Sequence, residues 1–386
     1  MANLLDSASI LLTPTAYNNG SILAIQPSDG SGDMTFSRGS SATRVNAQGL
    51  IEDIASNLPR IDYTDGCGSL LLEPQSTNLV TYSEDFNGSG WSNTGTTITE
   101  NQSISPDGSL NADLIELDSN LDRLAAVLGS TGGTYTFSFY IKAKEGESGV
   151  WRTRVNGDST LWQNTQVNDT EWTRVTQTFT KTGSGNIVVY PAYRVDGTST
   201  LFNAYIFGAQ LEAGSYATSY IPTQGVISTR LADIATNSGI GSLIGQTEGT
   251  IFLDSKMALQ SINNYQLFSI NNASGVDRIR ILTATAGRLR FIYQLNSGVS
   301  YSFYNPTDYS DLTSLKIAFT YKSGDIKVYI NGVLVDSSTN TFTIAQTLTN
   351  IDFATSSGRY NQMLFNSVQL YKTALTDAQL TALTTI

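Results

Sequence analysis

No histidine occurs anywhere in this chain of 386 residues. That absence removes Ser-His-Asp and Cys-His nucleophile arrangements and every His-ligated metal site. Its single cysteine, Cys67, cannot close an intrachain disulfide, and a chain without cysteine pairs is typical of synthesis in a reducing cytoplasm. Stability is left to packing or to assembly. Lys and Arg number 22 against 33 Asp and Glu, a net charge of −11. Such a field repels phosphate backbones and no basic cluster offsets it, so nucleic acid is not an expected partner. Coiled-coil heptads are missing as well. Gly239-Ile-Gly241 precedes no strand-to-helix pattern, so it is not a phosphate loop. The start, MANLLDSASILLTPTAY, has no basic n-region and its apolar run is broken by Asp6, Ser7 and Ser9. Neither a signal peptide nor membrane insertion is expected from it.

What is present is β-rich and full of turns. Glycine numbers 33 and tyrosine 19, while charged residues make up only 14%. Tyr135-Thr-Phe-Ser-Phe-Tyr-Ile-Lys-Ala-Lys144 and Trp172-Thr-Arg-Val-Thr-Gln-Thr-Phe179 alternate in period two, the pattern of strands with one buried face. Between residues 249 and 335 the same alternation recurs in six or so segments. Asn331-Gly332 sits between two of them, and both residues accept the positive φ of a type I′ hairpin turn. Near the end, Thr376 with Gln379 three residues on forms a capping box, flanked by Leu375 and Leu380 as a hydrophobic staple. A short terminal helix is expected there. The class read from these patterns is all-β, with β-sandwiches in series.

Two blocks, FSRGSSATRVNAQGLIEDIASNLPRIDY (36–63) and GSLLLEPQSTNL (68–79), precede the first sandwich, and GAQLEAGSYATSYIPT (208–223) closes it. In that order these segments resemble the leader and carbohydrate-binding-module-like jelly roll of head-spike and tail-fibre proteins of tailed bacteriophages. The run from 249 to 386 resembles a concanavalin A-like, laminin G-like lectin sandwich, with Leu364-Phe-Asn-Ser367 standing where many relatives carry a glycine. The resemblance implies a docking leader at 1–77, a jelly roll at 78–223, a linker at 224–248 and a lectin domain at 249–386. It implies a virion surface protein made in the host cytoplasm, whose partners are capsid or tail proteins and a host-surface glycan. It also implies a closed homo-oligomer, a trimer first, for avidity. A protein that acts outside cells without a secretory address fits release by lysis.

Candidate site residues fall in three groups. In the leader, Arg38, Arg44 and Arg60 lie near Glu52 and Asp53 in a segment with few other charges, as an intramolecular staple or as a docking surface for a virion partner. In the jelly roll, alternation puts Arg152 and Arg154 on one face and Trp151, Thr153 and Val155 on the other. If the strand around Tyr190 and Arg194 shares that sheet, Arg152, Arg154, Tyr190, Arg194 and Trp162 line an aromatic and polar surface suited to stacking on a sugar ring. In the lectin-like domain, the predicted loops 296–305 and 356–361 offer Tyr304, Arg359, Tyr360 and Asn361. Carboxylates clustered at 116–122 invite calcium, but they lack the glycine and terminal glutamate of an EF-hand loop, so a solvated turn is expected and no cofactor is called for.

No E-x-D-x-x-E strand motif occurs in the C-terminal domain, where the only glutamate is Glu248 at its border, so the paired carboxylates of a glycosidase are not in evidence. The reading is a non-enzymatic adhesion protein. A purely structural decoration protein is the alternative, and a carbohydrate-active hydrolase the third.

Overall fold

The structure is a computed structural model that describes residues 4–13, 17–258, 265–272, 274–295, 298–309, 312–353 and 362–386. Its described residues form six β-sheets, three short 3-10 turns and one α-helix, Asp377–Thr384. The chain divides into two compact units: Met1–Ser41, Ile54–Gln75 and Leu231–Ile386 in one, Ala42–Asp53 and Ser76–Arg230 in the other.

The first unit is a sandwich of an eight-stranded and a nine-stranded sheet. The centre of the eight-stranded sheet is Glu248–Met257, paired antiparallel with Ser314–Lys322 on one side and Met363–Tyr371 on the other. Alternate residues of these strands, Ile251, Leu253, Ile317, Phe319, Val368 and Leu370, turn into one core with Phe268, Ile270, Ile279, Phe291 and Ile351 of the nine-stranded sheet. The expected hairpin is present: Asn331 and Gly332 have φ of 50° and 80°, joining Ile326–Ile330 to Val333–Ser338. So is the terminal helix, where Thr376 and Gln379 form both bonds of the capping box.

Two expectations about organisation differ from this division. The leader is not a module of its own, because Ile10–Leu12 and Ser69–Leu72 both pair with Met363–Tyr371, and Met34–Ser37 pairs with Ile234–Ser238. Ile10, Leu12, Met34, Phe36, Leu70 and Leu72 all sit in the same core as the C-terminal strands. Short apolar runs at the start of the chain bury little area alone, and sheet edges formed hundreds of residues later complete them. The glycine-rich stretch 224–248 is not a free linker either: it supplies Ser228–Arg230, paired with Ser76–Asn78, and Ile234–Ser238 within the nine-stranded sheet.

The second unit is a jelly-roll-like sandwich of two five-stranded sheets. One runs Thr96–Ile104, Leu110–Leu117, Asn203–Ala213, Gly133–Ala143, Thr173–Lys181. The other runs Ser92–Thr94, Arg123–Ser130, Gly185–Tyr193, Gly149–Asn156, Thr160–Val167. Phe137, Phe139, Ile206 and Leu211 of the first meet Trp151, Val155, Ile187 and Val189 of the second. Residues 208–223 lock this unit through Asn78, which is wholly buried. Its amide nitrogen donates to the carbonyls of Ala209 at 3.0 Å and Ile221 at 2.9 Å, while its oxygen accepts from the N–H groups of Val80 and Leu211, each at 3.1 Å. All the amide's bonding capacity is used internally.

Candidate functional site: an arginine and aromatic sheet face

The strand Gly149–Asn156 shows strict alternation. Trp151, Thr153 and Val155 are fully buried, and Arg152 and Arg154 stand half-exposed on the outer side. Trp151 fixes the strand by donating its indole N–H to the carbonyl of Pro191 at 2.7 Å. On one flank Trp162 is the register partner of Arg154, and on the other Tyr190 is. In an antiparallel ladder such partners project from the same face. Four of the five predicted residues therefore come together. The guanidinium of Arg152 lies 4.2 Å from the centroid of the Trp162 ring, and that of Arg154 lies 5.0 Å from Trp162 and 5.1 Å from Tyr190. These are cation–π distances. Trp162 keeps 39% of its surface exposed, so one part of the ring is free to meet a ligand.

Two members of the face escape the period-two reading. Tyr193 is three residues beyond Tyr190 and by alternation belongs to the opposite side. Leu124 pairs with Ala192 and Ala126 with Val189, so the strand carries one extra residue there. Such a bulge reverses the side on which the following side chain emerges. Tyr193 consequently meets Tyr190 edge-on with centroids 5.4 Å apart and Trp162 at 5.0 Å, while Arg154 lies 5.5 Å from its ring. Arg123 reaches the same ring at 5.9 Å from the neighbouring strand. The signal for the bulge was Pro191, a residue that interior strand positions rarely accept.

Arg194 does not join this group. Its guanidinium lies 4.1 Å from the ring centroid of Phe202, with Nε donating to Asp196 at 2.8 Å and Nη1 to the carbonyl of Leu117 at 2.8 Å.

The leader arginines divide. Arg38 and Arg60 are fully buried: Arg38 donates to Asp233 at 3.0 Å, and Arg60 donates to Glu73 at 2.7 Å and to Asp233. Two cations and two carboxylates thus neutralise each other inside the first unit, which is the staple reading and leaves neither guanidinium on a docking surface. Glu52 and Asp53 are not their partners, because strand pairing brings in acids from further along the chain. Arg44 does pair with Glu52, at 2.6 Å near the surface, and Asp53 is exposed. In the lectin-like region, Tyr304 lies at the end of the strand Gly298–Tyr304 and not in a loop, half-exposed, with the Arg290 guanidinium 4.7 Å from its ring. Arg359, Tyr360 and Asn361 lie outside the described residues.

A second feature of the jelly-roll-like unit is a cavity of about 350 Å³ lined by Tyr82, Glu84, Glu100, Asn111, Asp113 and Thr223, among others. Burial pushes the Asp113 carboxyl up to about 6, against the pull of the backbone N–H groups of Phe86 and Asn101 that donate to it. Burial likewise raises Glu84, which accepts from the Tyr220 hydroxyl at 2.7 Å and from Asn111 at 3.2 Å. Both carboxyls are engaged with the protein's own donors. Among the described residues no group of three or more acidic or cysteine side chains is arranged to hold a metal ion. In the 116–122 cluster, Glu116 binds Lys144 at 3.0 Å and Asp122 closes a turn on the N–H of Ser119 at 2.6 Å.

Among known proteins, residues 256–381 match the family described as the concanavalin A-like lectin/glucanases superfamily. No curated protein matches the chain. Among solved structures the chain is similar to the CBM40 of Ruminococcus gnavus IT-sialidase bound to α2,3-sialyllactose, at 18% identity over 37% of this chain and 84% of that one, with a TM-score of 0.32. It is similar to domain 4 of AbnA, a GH43 extracellular arabinanase from Geobacillus stearothermophilus, in complex with arabinotriose: 18% identity over 45% and 81%, TM-score 0.32. The botulinum neurotoxin serotype D binding domain is similar at 16% identity over 39% of each chain, TM-score 0.31. At such values no function transfers. The family match falls in the C-terminal part of the first unit, on strands of both its eight- and nine-stranded sheets.

Proposed function

We propose that this protein is a non-catalytic adhesin that binds a host-surface glycan through the outer face formed by Arg152, Arg154, Trp162, Tyr190 and Tyr193. The observation that carries this reading is the partly exposed Trp162 ring with two guanidiniums held against it. An aromatic face stacks on the apolar side of a pyranose, and planar donors beside it bond the hydroxyls. The match of residues 256–381 to a lectin-containing superfamily supports the same class of ligand. Resemblance of the leader and closing segments to phage spike and fibre proteins supports a virion surface location, with capsid or tail proteins and further copies of the chain, a trimer first, as partners.

The test is adsorption of the full chain to host cells. Labelled protein is retained by cells and released by soluble host polysaccharide, and Trp162→Ala lowers retention by about tenfold while the protein stays folded, the loss of one good aromatic contact and what it orients. Protein that incorporates into virions at normal copy number yet adsorbs to no cell and binds no glycan is a structural decoration, and the adhesin reading is then wrong.

A further inference from the structure

The five strands that build the arginine and aromatic face contain no aspartate or glutamate at any position. The chain as a whole carries 33 acids, and the opposite sheet of the same unit holds Glu100, Asp113, Glu116 and Glu212. Acids are therefore confined to one of the two sheets, which also carries Lys142, Arg174 and Lys181, whereas the arginine face holds cations alone. The charged side chains of the face are Arg123, Arg152 and Arg154, and among the described residues none of the three has a carboxylate within ion-pair distance.

Their remaining bonds are to neutral groups. Arg154 donates from Nε to the Asn156 side chain at 2.9 Å and from Nη2 to the Thr160 hydroxyl at 3.5 Å. Arg123 donates to the carbonyl of Leu121 at 3.1 Å. Among the described residues the Arg152 side chain makes no hydrogen bond, and its Nε is buried without an acceptor. Arg152 and Arg154 are two residues apart on one strand, so their Cα atoms are separated by about 7 Å, and both are braced by the same indole. Guanidiniums fixed on a ring have already lost much of their rotamer freedom, which lowers the entropic cost of binding.

We infer that this face recognises an anionic sugar, with the Arg152 and Arg154 guanidiniums donating to an oxyanion, a carboxylate or a sulfate, while Trp162 packs against the ring that carries it. The inference rests on the glycan-binding reading of the same face and adds the charge of the ligand. Two uncompensated guanidiniums on a protein of net charge −11 give a local attraction that a neutral sugar does not use. An oxyanion supplies the charge-assisted bonds that no protein group supplies there. The surrounding negative field confines recognition to short range, so affinity comes from direct contact rather than from long-range steering.

The experiment is an array on which each carboxylated glycan stands beside its carboxyl-reduced form and each sulfated glycan beside its desulfated form, probed with the full chain and followed by calorimetry on the strongest pair. Acidic members are expected to bind about tenfold or more tightly than their neutral counterparts, the worth of a hydrogen bond to a charged group. The carboxylated and sulfated arms tell which oxyanion is preferred. Arg152→Gln and Arg154→Gln are expected to shrink that ratio toward one, and Arg152→Lys, which keeps the charge but not the planar fork, to shrink it only partly. Equal binding of acidic and neutral partners overturns the inference and leaves the glycan reading standing. A preference for acidic members that survives both glutamine substitutions in folded protein places the oxyanion elsewhere and also overturns it. Binding to no member overturns both.

Discussion

Arg60 donates to Asp233, a residue 173 positions further along the chain, and both side chains are fully buried. The other oxygen of Asp233 accepts from Arg38 at 3.0 Å, and Glu73 completes the set at 2.7 Å from Arg60. Backbone bonds join in: the N–H of Glu73 donates to Asp233 at 2.8 Å, and the N–H of Asp233 donates to the carbonyl of Glu73 at 3.0 Å. Removing one carboxylate leaves a buried cation without compensation. Asp233→Ala is therefore expected to destabilise the first unit by about 3–5 kcal/mol. Urea unfolding followed through the first unit's tyrosines measures it, and a loss below about 1 kcal/mol would show that the cluster contributes little. Replacing all four residues together by apolar groups of similar volume is expected to cost much less.

This cluster also marks the boundary of what was legible in the sequence. That Arg38 and Arg60 sit in a nearly uncharged segment was visible, and pairing them with carboxylates was sound chemistry. Which carboxylates was not visible, since Glu73 and Asp233 reach them only through strand pairings made across the chain. The Arg152 and Arg154 face was legible because period two on a strand with Trp151, Thr153 and Val155 buried leaves no other side for them. Tyr193 was hidden because a single extra residue near Pro191 inverts the alternation. Likewise the pairing of the leader with the C-terminal sheets was hidden, because a run such as Ile10–Leu12 carries no mark of its partner.

Glycines in the stretch read as a linker, with Gly249 just beyond it, give the second prediction. A Cβ at Gly245 would stand 1.8 Å from the carbonyl oxygen of Glu248 and 2.6 Å from that of Lys372, and one at Gly249 would meet the Tyr321 ring at 2.3–2.8 Å. The Tyr321 hydroxyl donates to the carbonyl of Gly245 at 3.0 Å, so the two glycines and the tyrosine share one tight contact. Glycine serves here for close approach and not for flexibility. Gly245→Ala is expected to cost at least about 1–3 kcal/mol, since backbone atoms must move to admit the methyl group. By contrast, nothing lies within 4 Å of a Cβ at Gly239, but its φ of 78° still penalises a side chain, so Gly239→Asn is the tolerated comparison. Thermal melts of the two variants that fall together would refute the close-packing account.

The terminal helix supplies a local prediction. Thr376 accepts from the N–H of Gln379, and the Gln379 side chain accepts in return from the N–H of Thr376 at 2.9 Å. Thr376→Ala is expected to weaken the helix by about 1 kcal/mol. Hydrogen exchange should accelerate at Gln379 and Leu380 and leave the strands of the second unit untouched. Uniform acceleration across both units would mean that the helix holds more than its own end.

The last prediction concerns pH and the cavity under Tyr82. Asp113 is raised from 3.8 to about 6 by burial, with Glu84 raised in the same sense. A carboxyl whose folded pKa lies above its unfolded one binds protons more readily when folded, so its contribution to stability is fully present below about pH 3.8 and is lost as pH rises through about 6. The second unit should accordingly gain stability as pH falls from 7 toward 5. This is the reverse of the trend that salt-bridged carboxylates give. Asp113→Asn removes the titrating group and retains one side-chain oxygen to accept from the N–H of Phe86 or of Asn101. Whatever its absolute stability, its melting temperature should change less between pH 5 and pH 7 than that of the parent. A slope identical to the parent's would show that Asp113 is not the group that titrates in that window.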